Sequence, residues 1–130
     1  MTSQARRDQT LRPAARGIGW ITFVTGAFQV IAPGFVLQRI GGEQRAGSAH
    51  LFGTIGFFMV VVGGLLAQAT ARPDPERSVL TWAAIQKIGA TTAMSLGVAR
   101  GVFAPVALLV AVFDGVSAAV LLAYRARLRP

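Results

Sequence analysis

Apolar residues fall in four long stretches separated by short polar ones. The stretches cover residues 18–37, 49–71, 78–98 and 104–124. Each is about 20 residues, the length with which an α-helix crosses a hydrocarbon core about 30 Å thick. Residues 51–67 and 104–112 contain no charge at all; the third stretch is the most polar, with Gln86, Lys87, Thr91, Thr92 and Ser95. The pattern predicts an all-α fold of four transmembrane helices. A soluble α-bundle would need more polar residues between the segments.

The connections predict how these helices are arranged. Residues 72–77 read RPDPER, and Pro73 and Pro75 cannot continue either flanking helix. A few residues around Arg100 and Gly101 join the third and fourth helices, and Pro105 suits a first helical turn. Short connections make sequential helices antiparallel, which gives an up-down-up-down bundle. The longest loop, 38–48, is polar, and Pro33–Gly34 just before it mark a place to kink or end the first helix. Residues 17–125 thus form the membrane domain. A polar, basic N-terminal tail (1–16) expected to be unstructured precedes it, and a basic tail (126–130) follows.

Composition agrees with this reading. The 130 residues are 53% hydrophobic and only 14% charged, with a mean hydropathy of +0.55 and a net charge of +8. Soluble domains carry about 25% charged residues. With no cysteine, disulfide frameworks, thiolate metal sites and Cys nucleophiles are excluded. The positions of the basic residues explain the high charge. Arg6, Arg7, Arg12, Arg16, Arg72, Arg77, Arg125, Arg127 and Arg129 would lie on one side, and Arg39, Arg45 and Arg100 on the other. The positive-inside rule then places both termini in the cytoplasm, in a multi-pass protein of the inner membrane. The arginines face lipid headgroups, not nucleic acid. The first stretch exceeds a 7–15-residue signal core and no convincing cleavage site follows, so it reads as a retained helix.

Small residues suggest packing faces. Gly89, Ala93, Gly97 and Gly101 recur every four residues on the third helix; Ala107, Ala111 and Ala118 surround Asp114 on the fourth. Trp20, Trp82 and Tyr124 read as interface anchors.

Depth arithmetic singles out one pair of residues. Lys87 lies about nine residues into the third helix, roughly 13 Å deep, and Asp114 ten residues before the end of the fourth, roughly 15 Å deep. A lone charge at mid-bilayer costs about 2.5–3.5 kcal/mol on insertion scales. The expectation is therefore an ion pair inside the bundle, with Gln29 or Gln86 completing its hydrogen bonds. Such a couple suits acid–base chemistry, with Asp114 and Lys87 as catalytic groups, or merely fixes helix register. Snorkelling of Lys87 to the cytoplasmic face is a further reading. At the opposite end, His50 and Arg100 are candidates for binding an anionic headgroup. A single histidine makes no metal site, and no nucleotide, hydrolase or haem motif is present.

Arg16-Gly17-x-Gly19 running to Gly26-x-x-Gln29, then a Gly-Gly loop and three further short helices, resembles the DoxX-like group of small four-helix membrane proteins. Members commonly carry an arginine and then G-x-x-K in the first helix. Here Gln29 takes that lysine's place, and Lys87 has no counterpart. The resemblance implies contact with quinones or redox partners. Three roles follow: a non-catalytic subunit, or lipid- or quinone-interacting bundle, for a membrane or redox partner; a membrane-embedded enzyme acting on an apolar lipid, isoprenoid or quinone; or a transporter built as a homodimer. No cofactor other than a quinone is implied.

Overall fold

The computed structural model describes residues 3–129 and is all-helical. Met1, Thr2 and Pro130, the outermost residues of the two expected tails, lie outside the described residues. Helix α1 spans Ser3–Ile31, α2 Pro33–Arg39, α3 Ala46–Thr70, α4 Arg77–Ala99 and α5 Leu108–Arg127; a 3-10 turn at Pro105–Ala107 leads into α5. Among the described residues two helices, α3 and the Pro105–Arg127 segment, are long and apolar enough to cross a membrane, and the bent α1–α2 pair makes a third if counted as one span.

The N-terminal residues correct an expectation. They form the first turns of α1, with Pro13 inside the helix. Leu11, Ala15 and Ile18 recur on one face, and they pack with Leu121, Tyr124 and Leu128 of the α5 end. Burial of that stripe outweighs the hydrogen bond lost at Pro13. Tyr124 is consequently a core residue, 3% exposed, and not an interface anchor, whereas Trp20 and Trp82 are exposed.

The first helix ends earlier than residue 37. Pro33 pushes Ala32 out of helical geometry (φ −131°, ψ 60°), and the chain resumes as α2 bent by 110° from α1. Helix α2 closes through hydrogen bonds from Gly42 N to Leu37 O (2.9 Å) and from Gly41 N to Gln38 O (3.1 Å). Helix α4 closes in the same manner, from Val102 N to Gly97 O (2.8 Å) and from Gly101 N to Val98 O (3.0 Å). Both are left-handed C-terminal caps with glycine at φ +74° (Gly41) and +71° (Gly101). Ala104 N donates to Ile40 O at 2.8 Å, tying the two connections together at one end of the molecule.

Helices α1 and α3 form one extensive antiparallel pair, and α4 and α5 form the other; α3 and α4 touch little. The α1–α3 contact is a glycine seam. A Cβ on Gly19 would meet Ala67 N at 2.7 Å, and one on Gly26 would meet Gly56 O at 2.6 Å. From the other side, a Cβ on Gly56 or Gly63 would run into the Gly26 or Gly19 carbonyl. Gly19 and Gly26, like Gly56 and Gly63, are seven residues apart, so each pair stays on one seam over two turns. The expected stripe on α4 is not a packing face of this bundle. Gly89 has nothing near it, Ala93 is exposed, and Gly97 faces only the Phe103 ring.

The burial pattern is inverted relative to a water-soluble domain. Half of the buried hydrophobics are alanines, among them Ala15, Ala83, Ala84 and Ala107 at 0–2% exposure. Large residues point outward instead, including Ile31, Leu51, Phe57, Phe58, Leu109 and Val116. Small residues inside and large ones outside are what helices packed in lipid require. Such continuous exposure would be an aggregation liability in water.

A candidate ion-pair site between α4 and α5

Three polar links join α4 to α5. Arg125 Nε donates to Thr81 Oγ1 at 2.6 Å, Lys87 Nζ to Asp114 Oδ1 at 2.7 Å, and Thr91 Oγ1 to the Ala111 carbonyl at 3.0 Å. The central link is the predicted ion pair. Its side chains are 3% and 7% exposed, and the lysine nitrogen also lies 5.2 Å from the Phe113 ring centroid. Lys87 does not snorkel: it turns inward, on the face it shares with buried Ala83 and Ala84. Ala111 and Ala118 are buried on either side of Asp114, as the spacing predicts, and their small size lets the helices approach. Ser117, also buried, was not evident from the sequence. Thr91 stands out in the sequence only as one of the polar residues of the third stretch, four positions from Lys87.

The expected glutamine partners do not join the pair. Gln29 is buried, but its Nε2 donates to the Phe52 carbonyl on α3 at 2.7 Å. It faces α3 because it continues the side of α1 that carries Gly19 and Gly26. Gln86 Oε1 is buried and has no hydrogen-bond partner among the described residues. One residue before Lys87, it is rotated about 100° away from the lysine's direction. Interhelical hydrogen bonds in membranes contribute about 0.6 kcal/mol on average. Gln29→Leu should therefore weaken the α1–α3 contact only slightly. A thermal-unfolding midpoint within a few degrees of wild type is the expected reading.

His50 and Arg100 are both exposed, and among the described residues neither side chain forms a hydrogen bond or ion pair. Among the described residues the one ion pair at that end is local, between Arg45 and Glu43 at 2.9 Å.

Two cavities open at the other end. One, of about 440 Å³, is lined by Asp8, Gln9, Arg12, Pro13, Arg16, Thr70, Pro73, Tyr124, Arg127 and Leu128. The second, of about 220 Å³, lies between the end of α3 and the start of α4. Neither reaches Lys87 or Asp114.

No family model, curated sequence or solved structure matches the chain. Among the described residues no group of three or more histidine or acidic side chains could hold a metal ion.

Proposed function

We propose that the chain is a four-crossing protein of the inner membrane, with both termini in the cytoplasm. Its role is that of a non-catalytic, lipid-embedded subunit, and its Lys87–Asp114 pair locks two helices together. The observation that carries this reading is the setting of the pair. It is enclosed in the α4–α5 contact, bonded at 2.7 Å, and apart from both cavities. A reactive couple needs a path for substrate. A lock needs only its partner.

Half of the polar side chains along the middle of α4, which keep it from being apolar enough on composition, bond α5. Thr81, Lys87 and Thr91 each bond that helix, while Trp82, Ile85, Ile88 and Leu96 face outward. This supports α4 as a crossing helix despite its lysine. The bias of nine arginines against three supports termini on the cytoplasmic side.

The chain has no cysteine, so single introduced thiols report topology without background. In intact cells a membrane-impermeant maleimide should label Gln44→Cys and spare Ser3→Cys, Asp74→Cys and Arg129→Cys until the membrane is opened. All four positions are exposed. Labelling of Arg129→Cys from outside while Ser3→Cys is spared would sink the four-crossing arrangement, because an odd number of crossings puts the two termini on opposite sides.

A further inference from the structure

The larger cavity brings opposite charges together without pairing them. Asp8, Arg12, Arg16 and Arg127 all line it, and Asp8 and Arg12 are four apart on α1, the spacing at which such residues normally form an ion pair. Yet among the described residues the Asp8 carboxylate makes no ion pair within 4.0 Å, and its Oδ1 is enclosed with no hydrogen-bond partner. The walls are built, not incidental. Tyr124 and Thr70 are 3% and 1% exposed, and Thr70 Oγ1 is fixed by a 2.7 Å bond to the Leu66 carbonyl.

The remaining wall atoms divide by charge in the same way. Thr70 and Arg127 are the last residues of α3 and α5, so the partial negative charge of two helix C-termini falls here. Pro13 has no N–H, which deprives the Gln9 carbonyl of its usual donor, and both residues line the cavity. Three guanidiniums favour a phosphate. The Asp8 carboxylate, the freed carbonyl and the helix ends favour a cation. A volume of about 440 Å³ falls within the range of about 300–1,000 Å³ typical of small-ligand sites.

We propose that this cavity binds a zwitterionic phosphodiester–ammonium group: phosphate against Arg12, Arg16 and Arg127, primary ammonium against Asp8. The chemistry is that of an ethanolamine phospholipid headgroup or of its soluble counterpart, glycerophosphoethanolamine. The site is separate from the Lys87–Asp114 pair, and its occupancy does not depend on which way the chain crosses the membrane.

The test is native mass spectrometry of the full chain released from detergent with added phosphatidylethanolamine, and separately with phosphatidylglycerol of the same acyl chains. Wild type should retain phosphatidylethanolamine. Arg12→Gln/Arg16→Gln should weaken retention at least about tenfold, the effect of losing one charge-assisted hydrogen bond. Arg127→Gln, changed singly at the far wall, should act in the same direction if the double variant is unstable. Asp8→Asn should abolish the preference over phosphatidylglycerol while leaving the phosphate bound. Competition by glycerophosphoethanolamine at equal concentration assigns the site to a soluble ligand; resistance to it assigns the site to lipid. Equal retention of both lipids by wild type, or retention unchanged in the arginine variants, would overturn the proposal.

Discussion

Lys87→Leu and Asp114→Leu, made singly, should each cost about 3–5 kcal/mol, because each leaves its former partner charged and enclosed. With side chains 3% and 7% exposed, neither survivor can reach water without parting α4 from α5. The double variant, Lys87→Leu/Asp114→Leu, should recover most of that loss. Two leucines remove both desolvation costs, and a buried pair replaced by apolar residues is often neutral or better. Folded yield in detergent and the unfolding midpoint give the three values. If the double variant is as damaged as the sum of the singles, the two groups act independently and the lock is wrong.

Gly26→Leu should separate α1 from α3. The Cβ alone would lie 2.6 Å from the Gly56 carbonyl oxygen and 2.7 Å from Met59 Cβ, and the first of these is backbone that cannot rotate away. Overpacking costs about 1–3 kcal/mol even where side chains can yield, so the expected loss is at the upper end of that range or beyond. Gly89→Leu is the matched control on α4, where an added Cβ meets nothing within 4 Å and the backbone is exposed. It should be neutral, or slightly stabilising through helix propensity. Unfolding midpoints of both variants decide the matter; equal damage would mean that the small residues of α4 are also packed.

The parts legible in the sequence were those marked by local chemistry. Pro73 and Pro75 two residues apart break the helix there, and Gly101 caps one, so α3, α4 and α5 begin and end within about four residues of the sequence expectation. The ion pair was legible because depth along a helix is simple arithmetic and charges in an apolar stretch are few. Where a residue's meaning depends on the face it presents, the sequence was ambiguous. Evenly spaced glycines on α4 looked like a seam, but the seam uses Gly19 and Gly26 against Gly56 and Gly63. Residues 3–16 looked like a tail because their polarity hides a narrow stripe, Leu11 and Ala15, whose partners lie more than a hundred residues away. The arginine-rich cavity was invisible for the same reason. Asp8, Thr70 and Tyr124 share no sequence neighbourhood, and only the meeting of three helix ends places them together.

The break at Ala32 has a consequence for the bilayer itself. Between exposed Arg16 and the 110° bend, α1 offers only residues 17–31 to the hydrocarbon, about 22 Å of helix, whereas the 25 residues of α3 extend for about 37 Å. In the arrangement proposed above, lipid beside α1 meets a wall shorter than its own core of about 30 Å. That mismatch would be relieved by thinning of the leaflets along that flank and by arginine side chains reaching toward the headgroups. One side of this small protein would thus be dimpled and the other full-thickness, a difference in membrane thickness held by a single proline.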